Sequence, residues 1–288
     1  MRLFNVPAPQ PFEAASSWIS RFALSQGIST GEALEHFGAD PALKGKIDGM
    51  VIGEVLRDIR RQCGLPPTAL LVHERVMTSF RKIEPTGDSL LLHKAGSKAL
   101  FNFCPACVKS MRTPHIPIHW RFIAWRWCPE HDSILESRCR MCGERQSSLV
   151  DLAMTSPGKN GRPWFNACQY CGVPFKSFAP CQLIKDEERI DWPIQRKVLV
   201  QGRAFLASLF DGYYSANGIV KNDIAGIRED ISLKAFEVPI DLLSAEWFRG
   251  DADESQFTRM KRRWRFRWIA NRYLTPKSKL IDAARENR

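Results

Sequence analysis

Apolar positions set out helices in the first third of the chain. From Ser16 they recur at Trp18, Ile19, Phe22 and Ala23, a helical spacing that ends at Gly27. Upstream, Pro7, Pro9 and Pro11 exclude an early helix, so this part reads as an extended strap. "STGE", Ser29 to Glu32, is a capping-box pattern that predicts a second helix through Phe37. Val51, Val55, Leu56 and Ile59 share one face of a predicted third helix over Val51–Cys63. Gly64 and Pro66 stop it, and Pro67 can start a short fourth helix towards Val76. Helix, glycine-containing turn, helix thus occurs twice. Either copy suits a DNA-reading helix-turn-helix or a helical docking module, and the pattern does not separate them.

Periodicity changes character after residue 100. "HWRFIAWRW" places Trp120, Ala124 and Trp127 on one helical face, yet Trp125 and Trp127 also alternate as in a strand. Indoles here supply core to a small module, with base stacking as the rival use. His115 and His119 flank Pro117, which spoils a helical metal pair and leaves them as surface or strand residues. Thr155–Cys168 reads as a loop from its Gly and Pro content. Beyond Pro180 helical stretches return over Ile194–Tyr213 and Leu233–Phe248, the second interrupted by Pro239. Asp251–Glu254 is a short acidic linker, and a last helix is predicted from Gln256 to Leu274. The expected division is a helical domain over 1–99, a metal-binding segment over 100–180 and a helical region over 181–288.

The middle segment carries C-x2-C-x20-C-x2-H-x7-C-x2-C-x25-C-x2-C. Four pairs make two tetrahedral sites, because two thiolates of one tight turn face the same ion and Zn2+ accepts thiolate and imidazole without geometric strain. Gly143 and Gly172 follow the second ligand of the last two pairs, where a side chain would crowd the turn. With every ligand supplied by protein, both sites read as structural. The sequential pairing joins Cys104, Cys107, Cys128 and His131, then Cys139, Cys142, Cys168 and Cys171. A cross-brace would instead join first with third pair and second with fourth, and the ligand order is also that of RING ubiquitin-ligase domains. The seven-residue gap after His131 and the CxxCG turns favour sequential ribbons. Cys63 and Cys181 are unpaired and read as core.

The chain has 288 residues, 44% hydrophobic and 25% charged, and nine Cys. Its opening lacks the apolar run of a signal peptide, and no stretch is apolar enough to span a membrane, which predicts a cytoplasmic protein. In such a compartment paired cysteines mean metal or redox chemistry rather than disulfides. The net charge of +11 points to a polyanionic partner, and its distribution sharpens this. Between Arg259 and Lys279 stand nine basic residues and no acidic one. As a helix, Met260, Trp264 and Trp268 form a docking stripe, leaving Arg259, Lys261, Arg262, Arg263, Arg265, Arg267 and Arg272 as candidate phosphate contacts, on DNA before RNA.

Several of these stretches together resemble one family. "PFEAASSWISRFALSQGIS" is similar to the opening of TniQ/TnsD transposition proteins, through Pro11, Glu13, Ser17, Trp18, Arg21 and Ala23. "LRDIRRQCGLPPTALL" resembles the family's helix, Gly-Leu turn and following helix. "FCPACVKS" with "HWRFIAWRWCPEHDSILESRCRMCG" resembles its CPxC, CPxH and CxxCG signature. The likeness covers roughly 7–145. It implies an α-rich fold with small zinc-ribbon β elements: a helix-turn-helix-type N-terminal domain, tandem ribbons and a C-terminal helical region. It implies a bacterial target-selection adaptor, acting at the nucleoid, that links target DNA, or a target-bound CRISPR complex with guide RNA, to the AAA+ ATPase regulator of a DDE transposase, and it leaves a homodimer open. Larger site-specific members have longer C-terminal regions, and some guide-associated ones are much shorter.

No P-loop, HExxH or nucleophile elbow occurs, so the expected chemistry is binding. A RING-type ubiquitin ligase and a zinc-dependent transcription regulator are the rival readings.

Overall fold

The computed structural model describes residues 3, 5–85, 90–94, 98–131, 133–156, 165–182, 202, 204–216 and 219–227. Helix α1 (Ala15–Gln26) follows the strap and ends at Gly27, as its spacing predicts. Helix α2 (Thr30–His36) opens on the expected capping box: Ser29 Oγ accepts from the Glu32 amide, and Glu32 accepts from the Ser29 amide. A 3-10 turn, Pro41–Lys46, leads into the single turn α3 (Ile47–Met50). Helix α4 (Gly53–Gln62) fills the span predicted for the third helix.

The next helix starts later and runs further than its sequence suggests. Pro66–Leu70 form a turn, and α5 spans Leu71–Ile83. The guanidinium of Arg60 in α4 explains the delay. Its Nε and Nη2 donate to the Ala69 carbonyl at 2.9 and 2.6 Å, and Nη2 also reaches Glu74 Oε2 at 2.8 Å. This fork holds the peptide ahead of Leu70, a non-glycine residue at φ 56°.

Past α5 the strands are short. β1 (His93–Lys94) and β2 (Lys98–Ala99) pair antiparallel. Helix α6 (Pro105–Ser110) follows. Then β3 (Trp127–Cys128), β4 (Ser133–Ile134) and β5 (Cys181–Gln182) make a three-stranded antiparallel sheet in that order. A helix over 204–211 lies within the predicted Ile194–Tyr213 stretch, and a hairpin of β6 (Tyr214–Ala216) and β7 (Ile219–Lys221) follows, with a 3-10 turn over Ile224–Gly226 near the end of the described residues. Among the described residues the regular structure is thus mostly helical with small strands. The helices expected over Leu233–Phe248 and Gln256–Leu274 lie outside the described residues.

Two apolar clusters fill the interior. One joins α1 to α4 around Trp18, Phe22 and Phe37, with Trp18 stacked on Phe22 at 5.3 Å. The other joins α5 to the segment after it through Phe80, Phe101, Phe103, Trp120, Phe122 and Phe175. The "HWRFIAWRW" stretch is neither a helix nor one strand. Ile118–Arg121 form a 3-10 turn, and strand begins only at Trp127. Trp120 and Trp125 are buried in the second cluster, so their indoles serve the core and are closed to base stacking.

Helix α1 is buried on more than its apolar face. Ser16, Ser17 and Ser20 are as inaccessible as Trp18, and Arg21 nearly so. Their hydroxyls meet the segments after α6: the Ile116 amide donates to Ser17 Oγ at 3.0 Å and the Val150 amide to Ser20 Oγ at 3.0 Å. Hydrogen bonds on one face and apolar burial on the other make α1 the helix around which the described chain packs.

Candidate metal centres

The first cluster is assembled from a helix start and a hairpin. Cys104 caps α6, Pro105 takes its first position, and Cys107 lies one turn on, which aims both sulfurs the same way. Cys128 ends β3, opposite Ser133 of β4, and His131 sits in the turn between these strands. His131 Nδ1 then lies 3.7, 3.3 and 3.5 Å from the sulfurs of Cys104, Cys107 and Cys128. Cys107 and Cys128 sulfurs are 3.4 Å apart.

Two matching knuckles build the second cluster. In one, the Gly143 amide donates to the Cys139 carbonyl at 2.8 Å; in the other, the Gly172 amide donates to the Cys168 carbonyl at 2.9 Å. The two glycines have φ of 75° and 71°, the left-handed conformation that their place after CxxC predicts. Cross-knuckle sulfur distances are 3.5 Å for Cys142–Cys168 and 3.7 Å for Cys139–Cys171.

These separations can be set against a tetrahedral ion. Zn–S bonds of about 2.3 Å and Zn–N bonds of about 2.05 Å give S···S edges of about 3.8 Å and S···N edges of about 3.6 Å. The observed 3.3–3.7 Å fall close to those edges in both clusters. In each, all four donor atoms lie within 4.8 Å of one another. The two clusters can therefore hold metal ions, with a donor set that suits zinc. They gather successive pairs, first with second and third with fourth, rather than the alternating pairs of a cross-brace. Hydrogen bonding among the thiols splits their acidities: Cys107 and Cys128 hold the Cys104 thiol far below its ordinary value, while Cys104 pushes Cys107 up.

The surroundings differ. Cys104 and Cys128 are buried and Cys107 is half-buried, whereas Cys142 and Cys171 are exposed. Cys63, read as a core residue, is indeed buried, and burial pushes its thiol up to about 11.

Apart from the metal clusters, buried polar ties carry the rest of the sequence signature. Arg21 Nη1 donates to Glu13 Oε2 at 2.6 Å, with both side chains almost fully buried. Ser17 Oγ donates to Glu13 Oε1 at 2.9 Å, and Trp18 Nε1 donates to the Pro7 carbonyl at 2.8 Å. The Glu, Ser, Trp and Arg of the opening motif thus fasten the strap to α1, and Ser17 fastens α1 to Ile116. Their positions in the fold are structural.

A second buried knot gave no sequence signal. Arg121 Nε donates to Asp48 Oδ2 at 2.6 Å, with both side chains fully inaccessible. Arg121 Nη1 also donates to the carbonyls of Leu92 and Leu100. Asp48 accepts from the Ser16 amide at 2.8 Å and from Ser16 Oγ at 2.9 Å, and Ser16 Oγ reaches Ser148 Oγ at 2.8 Å. Burial would push the Asp48 carboxyl up, but Arg121, His73 and the Ser16 amide outweigh it and hold it below the usual range. Burial likewise holds His73 below its ordinary value, against the pull of Asp48. His73 Nδ1 accepts from the Ala15 amide and Nε2 donates to the Val51 carbonyl, a neutral ring bonded at both nitrogens. His119, expected at a surface or in a strand, instead packs among Phe12, Trp120 and Trp125.

Residues 5–135 match the family model for TniQ. The chain carries a TniQ domain. The match begins in the strap and ends just past β4, so it encloses α1 to α6 and all four donors of the first cluster, but none of the second. It stops short of the "CRMCG" stretch that the likeness of motifs includes. No curated protein matches the chain. A TniQ domain implies a transposition-associated, target-selecting role, and TniQ proteins are non-catalytic adaptors that work with transposition machinery and DNA. Among the described residues no helix is long and apolar enough to cross a membrane. The candidate phosphate contacts Arg259, Lys261, Arg262, Arg263, Arg265, Arg267 and Arg272 lie outside the described residues.

Proposed function

We propose that this TniQ protein is the adaptor that joins a chosen target to an AAA+ ATPase, which in turn regulates a DDE transposase. The target is DNA itself or a complex already bound to it, including a CRISPR effector with guide RNA. The observation that carries the reading is the TniQ match over 5–135, whose matched residues contain a complete four-donor cluster. Two structural zinc ions are held, one by Cys104, Cys107, Cys128 and His131 and one by Cys139, Cys142, Cys168 and Cys171. Bound zinc supplies rigid cross-links and no reaction step. The chain's own residues shape a docking body: the Asp48–Arg121 and Ser17–Ile116 ties support the 1–99 helices and the 100–180 segment acting together. The basic 181–288 region is the nucleic-acid arm. Gathering of successive ligand pairs weighs against the RING-type ligase.

The test is co-purification of the full chain with its cognate AAA+ ATPase on DNA, at low salt and with nucleotide. Retention of the ATPase is expected, with no ATPase or strand-transfer activity from this chain alone. A chain that never retains the ATPase under these conditions refutes the adaptor role.

A further inference from the structure

The two clusters differ in a way that bears on their chemistry. In the first, Cys104 and Cys128 are buried, Cys107 is half-buried, and the fourth donor is an imidazole that forms no disulfide. The carboxylate of Glu130 stands 3.9 Å from the Cys107 sulfur, and Ser133 Oγ lies 3.4 Å from that of Cys104. The second is four thiols, two of them exposed. Each exposed cysteine has a buried one of the opposite knuckle beside it: the Cys142 sulfur has that of Cys168 at 3.5 Å, and the Cys171 sulfur has that of Cys139 at 3.7 Å. Exposed Met141 and Tyr170, each immediately before an exposed cysteine, leave the knuckle tips open to solvent. Arg138 and Arg140 flank Cys139, Arg140 is paired with Glu136, and Lys98 sits over the Tyr170 ring at 5.6 Å, with Glu144 just beyond the first knuckle. Accessible thiolates are the ones peroxides oxidise, and a neighbouring thiol within reach resolves the product.

We propose that the Cys139, Cys142, Cys168 and Cys171 cluster is a thiol-oxidation site, at which a hydroperoxide expels the ion of the second cluster and leaves the first loaded. The proposal rests on the two-zinc reading above. The Cys142 thiolate attacks the distal peroxide oxygen; the O–O bond breaks and an alkoxide or hydroxide leaves, giving a sulfenic acid. The Cys168 thiolate then attacks that sulfur, forming the S–S bond and releasing hydroxide. Two thiolates, one hydroperoxide and two protons become one disulfide, one alcohol (water, from hydrogen peroxide) and one water; the two electrons pass from sulfur to oxygen. Cys171 and Cys139 form the equivalent pair. Because either disulfide joins one knuckle to the other, Phe175 stays stacked on Phe103, 4.1 Å away, and the oxidised chain remains folded.

The test uses the full chain, purified in reductant and then desalted. Metal analysis first establishes the zinc content, for which two equivalents are expected. Hydrogen peroxide is then titrated in beside a chromogenic zinc chelator, remaining thiols are trapped with a maleimide, and peptides are mapped by mass spectrometry. The expected result is release of one of the two equivalents, with a Cys142–Cys168 or Cys139–Cys171 disulfide and with Cys104, Cys107 and Cys128 still reduced and blocked from the maleimide by zinc. Thiol reductant with added zinc restores the second equivalent. Simultaneous loss of both equivalents, or disulfides among Cys104, Cys107 and Cys128, overturns this proposal and leaves the two-zinc reading standing. A starting content below two equivalents refutes the two-zinc reading, and the proposal falls with it.

Discussion

Removing the charge of Asp48 should be among the most damaging single changes in the described chain. In Asp48→Asn the side chain keeps its size but loses the negative charge that faces Arg121 at 2.6 Å in a fully inaccessible site. Arg121 is already stretched over three acceptors, Asp48 and the carbonyls of Leu92 and Leu100, and its Nη2 has no partner among the described residues. Its charge cannot reach water, so it stays buried and uncompensated. Breaking one side of a buried pair costs about 3–5 kcal/mol, which at this chain size lowers the melting temperature by on the order of 10 °C. Arg121→Met should cost a similar amount by leaving the Asp48 carboxylate with Ser16 as its only hydrogen-bond donor among the described residues. The double change should cost less than the two single losses added together, because the unpaired charge is then gone. Arg61→Ala is the control: its pair with Asp58 is exposed and worth about 0–1 kcal/mol. The assay is urea unfolding of zinc-loaded protein, followed by both far-ultraviolet circular dichroism and tryptophan fluorescence. If Asp48→Asn cost no more than Arg61→Ala, the buried pair would not be the tie between α3 and the 118–121 turn.

Three further outcomes are expected. Cys128→Ser should reduce bound zinc from two equivalents to one and loosen the β3–β4 hairpin, checked by metal analysis and by amide exchange at Trp127 and Ile134; retention of two equivalents would remove Cys128 from the ligand set. Burial pushes His119 down to about 3 from 6.5, so the unfolded chain takes up a proton between those values that the folded chain refuses. The His119 contribution is therefore complete above pH 6.5 and lost progressively as pH falls towards 3, and His119→Phe should flatten the pH dependence of urea unfolding in that window. Replacing Arg262, Arg263, Arg265 and Arg267 with Gln should weaken duplex-DNA binding and reduce the salt slope by about 0.9 for each phosphate contact removed; unchanged affinity and slope in a folded variant would assign the basic charge to an acidic protein partner.

Local physics made part of this protein readable from its residues. The ends of α1, the capping box of α2 and the left-handed glycines after two CxxC pairs depend on a few neighbouring residues, so the chain states them outright. Ligand spacing set out which residues are metal donors, because a pair two residues apart can face one ion only from a tight turn or a helix start. Other features depend on what meets what. The partner of each ligand pair was open between two arrangements until the hairpin of β3 and β4 brought His131 beside Cys104 and Cys107. The tryptophan-rich stretch is no single helix or strand because burial of Trp120 and Trp125, not backbone periodicity, decides its path between the 3-10 turn and β3. Start of α5 at Leu71 depends on a guanidinium from the preceding helix. Asp48 and Arg121 are 73 residues apart, and although Arg121 lies in the tryptophan-rich stretch nothing there marks it as the partner of Asp48; each alone looks like a surface charge. Only packing excludes water from both, and that exclusion turns two ordinary charges into the tie between the helices and the metal-binding segment.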